Sequence, residues 1–244
     1  MKYAIVTGAS RGLGLEVTKK LIERDYRVIT VARNQPNVMT SNDIHISGDL
    51  SNLDEVKRIL NQIQAELVGK PIEELVVVNN AGTINPIGPV GTLNDDDIIK
   101  HMNVNIISLM LIVNTIVKEI KCEQSLFVNI TSGAAERSVY GWNTYCTSKA
   151  AVNMFTQTAA LEAEERKRNE LHIAFSPGIM DTDMQGEIRS TNEEDFIEVE
   201  KFRKYKEEGQ LRSPEEVARI LFKLIDDRSK LKNGEVYRVY DLVK

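Results

Sequence analysis

The chain has 244 residues, 42% of them hydrophobic and 27% charged, with a formal net charge of −5. That is enough apolar material for one large α/β domain, and the acidic balance removes any bulk attraction to a phosphate backbone, so no nucleic-acid partner is expected. Two cysteines make no disulfide framework and three scattered histidines have no metal-ligand spacing, so no metal site is expected either.

The N-terminus shows no charged-then-apolar leader, and no stretch reads as approaching a membrane span. A cytoplasmic protein without a membrane partner is therefore expected. The first strand falls at 3–6 and runs into Thr7-Gly8-Ala9-Ser10-Arg11-Gly12-Leu13-Gly14, which opens a helix over 12–25 with Leu13, Val17, Leu21 and Ile22 on one face. A strand at 27–31 leads to Val31-Ala32-Arg33-Asn34, and a third at 43–46 leads to Asp49-Leu50. A helix over 53–67 carries Val56, Ile59, Leu60 and Ile63. The run LVVV at 75–78 is apolar on both sides, as suits a sheet covered on both faces, and it precedes Asn79-Asn80-Ala81-Gly82.

A long apolar helix over 95–120 contains Asn105 and puts Cys122 at its end. A strand at 125–130 precedes Ser132, and a second long helix over 142–165 starts near Cys146; both cysteines read as free thiols. After a strand at 172–175 comes the irregular stretch 177–211. Within it Phe196, Val199, Phe202 and Tyr205 recur every three residues, predicting one helix that is either a surface helix on the core or a lid over a cleft. Ser213-Pro214-Glu215-Glu216 has the cap, first-turn proline and acid of a helix start, for a helix to Ile225, and a last strand falls at 235–239.

This alternation predicts a Rossmann-type, doubly wound parallel sheet of seven strands with helices on both faces, in a single domain over 1–244 without linker or repeat. The loop at 8–14 fits a dinucleotide. Gly8 permits the tight turn, Gly12 and Gly14 allow close backbone approach, and the helix N-terminus offers free N–H groups to a pyrophosphate. In NAD binders an acid ends the second strand; here that place is near Ala32, and Arg33 follows it. Arg33 and Arg11 converging on a 2′-phosphate would make the cofactor NADP(H).

Tyr145 and Lys149 lie four apart on one helical face, Ser132 is 13 residues before Tyr145, and Asn105 is 27 residues before Ser132. With the glycine loop, Asp49-Leu50, Asn80-Ala81-Gly82, Pro177-Gly178 and Thr182, this series resembles the short-chain dehydrogenase/reductase family over nearly the whole chain. The resemblance implies that Tyr145 is the general acid of carbonyl reduction and that Lys149 lowers the phenol's pKa and binds the nicotinamide ribose. It implies that Ser132 polarises the carbonyl and that Asn105 holds a water joining Lys149 to solvent. It also implies that Gly8, Ser10, Arg11, Gly12, Leu13 and Gly14 hold the pyrophosphate end, and that Asp49 and Leu50 meet the adenine. Asn80, Ala81 and Gly82 would pass along the ribose, and Pro177, Ile179 and Thr182 would meet the carboxamide or pyrophosphate.

The segments from Ser132 to Ala135, from Gly141 to Cys146 and from Pro177 to Gln185 further resemble sepiapterin reductase and the bacterial benzil reductases. That implies a small-molecule substrate with vicinal carbonyls, and Trp142 and Met184 join Ser132 as candidate substrate contacts. A pterin would need polar partners, for which Asp181 and Asp183 are the candidates, so an aromatic or hydrophobic α-diketone is the preferred expectation. The family also implies a homodimer or tetramer through the two long helices. Alternatives are a β-ketoacyl carrier-protein reductase and a non-catalytic NADP-binding sensor or scaffold.

Overall fold

In the computed structural model, which describes residues 1–243, seven strands form one parallel sheet among the described residues. They are β1 (Lys2–Thr7), β2 (Arg27–Ala32), β3 (Ile44–Ser47), β4 (Ile72–Asn79), β5 (Cys122–Ile130), β6 (Glu170–Ser176) and β7 (Val236–Arg238), in the order β3-β2-β1-β4-β5-β6-β7. The order reverses between β1 and β4, and a crevice opens there at the carboxyl ends of the strands.

The sheet is covered by α1 (Gly12–Ile22), α2 (Leu53–Leu67), α3 (Asp95–Met102), α4 (Ser108–Glu119), α5 (Asn143–Glu165) and α8 (Pro214–Ile225); α6 (Asp183–Arg189) and α7 (Val199–Glu207) stand over the crevice. Alternate residues of each strand serve opposite faces. Val6, Val28, Val76 and Val78 pack with Leu13, Val17, Val217 and Leu221 of α1 and α8. Tyr3, Ile5, Ile29, Leu75 and Val77 pack with Val56, Ile59, Ile112 and Ile116 of α2 and α4. Each such side chain contributes about 1.5–3 kcal/mol relative to exposure. Because both faces are covered, the strands show apolar runs rather than polar alternation.

The expected elements form, with differences that have physical causes. Most strands extend beyond their apolar runs because polar flanking residues stay in register, as Glu74 does with Lys2 and Gln124. β7 is instead cut to three residues at the sheet edge. Cys122 begins β5 rather than ending a helix, while Cys146 lies inside α5, with Trp142 as the capping residue before it. The first helix ends at Ile22, and the chain leaves it through Asp25 in the left-handed region (φ 61°).

The long helix at 95–120 is broken by a π-helical turn, Asn103–Ile107, in which the Ser108 N–H reaches the Asn103 carbonyl. By length and composition Asp95–Glu119 could cross a membrane, which corrects the expectation that no stretch approaches a span. In the fold Ile106, Leu109, Ile112, Val113 and Ile116 of this helix are buried in the core.

The helix expected over Phe196–Tyr205 forms as α7 but starts only at Val199, and a second helix, α6, precedes it in the segment. The chain folds α6, turns at Asn192 where the Phe196 N–H bonds the Asn192 carbonyl, and then folds α7, so Phe196 precedes the helix. Tertiary stacking explains this, since Phe196 is fully buried against Trp142 at 4.8 Å and 6°. At the base of the segment, Asp181 N–H bonds the Arg212 carbonyl and Arg212 N–H bonds the Ile179 carbonyl, which ties its two ends together. The Ser213 hydroxyl caps α8 as its sequence indicates, accepting from Glu216 N–H at 3.1 Å.

Candidate active site

One cleft of about 950 Å³ runs over the crevice from the glycine loop to α6. Of the residues named from the sequence, Gly8, Ser10, Arg11, Gly12, Leu13, Arg33, Asp49, Leu50, Asn80, Ala81, Gly82, Ser132, Trp142, Tyr145, Lys149, Pro177, Ile179, Thr182 and Met184 all line it. Gly14 and Asn105 stand behind the wall. A side chain on Gly14 would bring its Cβ within 2.3 Å of the Gly8 carbonyl oxygen, so this glycine lets the helix start press on the loop. Gly8 and Gly12 take left-handed φ of 66° and 56°, which leaves room for a phosphate-sized group at the helix N-terminus.

The loop is anchored from behind by residues whose role the sequence reading missed. Thr7 Oγ1 accepts from Asn80 N–H and Ala81 N–H, each at 3.0 Å. The Asn80 amide donates to the carbonyls of Thr7 (3.0 Å) and Gly8 (3.1 Å). The Asn80 side chain therefore braces the loop from behind. Deeper still, Asn79 Nδ2 donates to Asn129 Oδ1 at 2.8 Å, and Asn129 Nδ2 donates to Thr156 at 3.0 Å, joining β4, β5 and α5 beneath the cleft. A polar residue at or next to the end of each of three adjacent strands, Thr7, Asn79 and Asn129, is the sequence signal for such a brace.

The two arginines do not converge as expected. Arg11 forms an ion pair with Asp183 at 2.7 Å, reaching to the start of α6. Arg33 lines the cleft just after β2, exposed and in no ion pair with a described residue. No acid stands at the end of β2, where Ala32 is the last residue. The helix α6 also touches the other wall, through Asn85 Nδ2 donating to Glu187 at 2.8 Å.

Ser132, Tyr145 and Lys149 come together at the end of β5 and the first turns of α5, with Tyr145 and Lys149 buried. Burial raises the Tyr145 phenol above its ordinary value, and the Ser132 hydroxyl pulls it partly back. This corrects the expected lowering, because the Lys149 amino group does not offset the burial. It stands 5.7 Å from the phenol ring and donates to the Ile130 carbonyl at 2.9 Å. Burial brings Lys149 itself down to about 8.

Behind them Asn105 Oδ1 accepts from Thr83 N–H at 2.8 Å while its Nδ2 donates to the Thr83 carbonyl at 2.9 Å. A Cβ on Gly82 would stand 3.6 Å from both Asn105 Oδ1 and Lys149 Nζ, so the missing side chain leaves space bounded by these two polar atoms. The π turn falls at Asn105, where such turns commonly mark functional positions.

The far side of the cleft is apolar. Ile84, Ala134, Trp142, Tyr145, Ile188 and Phe202 form one cluster, with Ile179 and Met184 partly buried against it. Trp142 is buried beneath α7, edge-on to Tyr145 (5.5 Å) and to Phe202 (5.4 Å). Asp181 and Asp183 are both engaged, with Lys206 at 2.5 Å and Arg11.

The chain matches the short chain dehydrogenase family model over residues 2–193 and belongs to that family. It is therefore an oxidoreductase acting on alcohol and carbonyl groups of a small molecule, and members of the family bind NAD(P)(H). It is 35% identical to "Benzil reductase ((S)-benzoin forming)" of Bacillus cereus, across 98% of this chain and 99% of that protein. It is 34% identical to the protein of the same name in Bacillus subtilis (strain 168), across the full length of both. Among solved structures, a short-chain dehydrogenase/reductase of Saccharomyces cerevisiae superposes with a TM-score of 0.82 at 27% identity, covering 98% of this chain and 96% of that one.

Proposed function

We propose that this enzyme uses NADPH to reduce one carbonyl of an aromatic or hydrophobic 1,2-diketone of the benzil kind. The observation that carries the reading is the pair of hydroxyl groups, on Ser132 and Tyr145, set side by side in a cleft whose far wall is apolar. The names of the two full-length Bacillus relatives support the diketone. The engagement of Asp181 and Asp183 in ion pairs favours it over a pterin, which would need free polar partners.

The cleft fits a dinucleotide: a glycine cradle at the helix N-terminus, polar backbone along the strand ends, and a length that reaches Tyr145. When bound, the nucleotide supplies the hydride. Arg33, exposed and after a strand with no terminal acid, binds the 2′-phosphate, and Arg11 joins it only on leaving Asp183, which gives the preference for NADPH. Ser132 holds the carbonyl oxygen, and Tyr145 gives its hydroxyl proton to that oxygen as charge develops there. Burial keeps Tyr145 in the phenol form that reduction needs. General acid catalysis of this kind contributes roughly 10²–10⁴-fold. Lys149 binds the ribose and holds a proton close to the one Tyr145 gives up, and the space beside Gly82 lets Asn105 hold a water that connects Lys149 to solvent. Exposed Met110 on α4 and Met154 and Leu161 on α5 support pairing of two copies through these helices.

The test is a carbonyl panel of benzil, other 1,2-diketones, sepiapterin and an acetoacetyl thioester, run with NADPH and NADH. Benzil with NADPH is expected to be fastest, and Tyr145→Phe is expected to lose at least about 100-fold in kcat while still binding NADPH. Preference for the thioester, or undiminished turnover by the Phe variant, contradicts the reading.

A further inference from the structure

His101 lies on α3, one turn before Asn105, and is 1% exposed. Its Nδ1 is 2.8 Å from the Asn85 carbonyl oxygen, which can only accept, so the proton sits on Nδ1. The other nitrogen, Nε2, is 3.0 Å from Asn105 Nδ2 and 3.1 Å from Ser148 Oγ. Asn105 Nδ2 spends one N–H on the Thr83 carbonyl and has the second left for Nε2, with Ser148 Oγ 3.2 Å away as the alternative. The Ser148 hydroxyl in turn donates to the Tyr145 carbonyl at 2.9 Å. With the Ser148 proton on the Tyr145 carbonyl and one Asn105 N–H on the Thr83 carbonyl, the second Asn105 N–H goes to Nε2, which meets it with a lone pair, and the 3.1 Å approach of Nε2 to Ser148 Oγ carries no proton.

We propose that His101 is a positioning residue: as a neutral imidazole protonated on Nδ1, it holds the Asn105 amide in the orientation that turns its oxygen to the space shared with Lys149. The proposal rests on the roles given above to Asn105 and Lys149. A proton on Nε2 would set one N–H against another. Rotating the Asn105 amide to relieve this would place its oxygen against the Thr83 carbonyl and its NH₂ against Thr83 N–H. The amide would then face the Lys149 ammonium with donors instead of an acceptor.

The surroundings oppose that proton. From α5, Lys149 and the Tyr145 ring, 6.2 Å away edge-on, face the imidazole. From the loop after β4, Asn85 presents its carbonyl and sends its side chain to Glu187 of α6. On α3 itself, Asp97 and Lys100 are exposed and paired with each other. Burial first, and the Lys149 charge as well, hold the imidazole below its ordinary value, with the Asn85 and Thr144 carbonyls acting the other way.

The experiment combines ¹⁵N-histidine NMR of the whole protein with kinetics of His101→Leu and His101→Gln. With three histidines in the chain, His101→Gln assigns the signal by its loss. The expected signal is that of the neutral Nδ1–H form, persisting below the ordinary imidazole range. His101→Leu is expected to lower kcat for ketone reduction about 5- to 10-fold, as loss of one buried hydrogen bond does, with KM for NADPH within about twofold. In His101→Gln an amide oxygen accepts from Asn105, so kcat recovers, and the variant keeps its rate to lower pH than the wild type. An Nε2–H or protonated imidazole near neutral pH overturns the proposal whether or not any ketone is reduced. A Leu variant at the wild-type rate, or a Gln variant with the wild-type acid limb, does the same. If His101→Leu fails to fold, the Gln variant and the NMR decide. Absence of turnover by the wild type across the panel refutes the proposed reaction, and the tautomer is then still read directly.

Discussion

Lys149 holds an ammonium where almost no solvent reaches, and Lys149→Met measures what that position costs. Desolvation alone takes its pKa from 10.5 to about 8. At about 1.4 kcal/mol for each tenfold change in proton affinity, this is roughly 3 kcal/mol held against folding near neutral pH. The Met variant removes that penalty and fills similar space, but it leaves the Ile130 carbonyl without its 2.9 Å donor. Losing that bond returns about 1 kcal/mol. The variant is therefore expected to be inactive and more stable by about 2 kcal/mol at pH 7. The direction with pH follows from which state binds the proton. Between about 8 and 10.5 the unfolded chain still holds it and the folded one does not, so raising the pH through that window stabilises the wild type. The gap between the two proteins should stay constant below the window, close across it and reverse by about 1 kcal/mol above it, where only the lost hydrogen bond remains. Urea midpoints of both, measured without nucleotide at neutral and alkaline pH, read this directly. A variant less stable than the wild type at pH 7, or a gap that ignores pH, would refute the argument that burial sets the state of this lysine.

Three further outcomes are expected. Gly14→Ala should unfold the protein at lower temperature and abolish NADPH binding, because its Cβ would meet the Gly8 carbonyl oxygen at 2.3 Å. The same change at an open helical site stabilises by up to about 1 kcal/mol, so a melting temperature at or above the wild type's would contradict the close approach. Asp183→Asn releases Arg11 from its 2.7 Å partner, and the KM for NADPH should fall while that for NADH stays. Equal changes for both nucleotides would remove Arg11 from phosphate recognition. Trp142→Ala should cost about 3–5 kcal/mol in chemical denaturation, since the ring is buried and stacked on Phe196. It should also raise the KM for a diketone, and an unchanged stability would mean that the segment carrying Phe196 does not rest on this ring.

The residues whose reading needed no tertiary information are those whose neighbours are close in the chain. Gly8, Gly12 and Gly14 declare a strand–turn–helix because the turn itself demands them, and Tyr145 and Lys149 share a face because a helix repeats every four residues or so. The same locality makes the apolar strands and the Ser213 cap legible. The rest is decided by partners far away in sequence. Phe196 is drawn out of its expected helix by Trp142, and Arg11 turns to Asp183 rather than toward Arg33. The state of Tyr145 is set by how deeply its surroundings bury it, a quantity no local spacing encodes. His101 looked like a scattered histidine, although its place one turn before Asn105 already put the two on one face. Only the packing of α3 against α5 and the loop after β4 gave its two nitrogens different partners. Sequence thus determined which chemical groups are available and which elements carry them. Folding decided their protonation and pairing, because those depend on solvent exclusion and on contacts made across the chain.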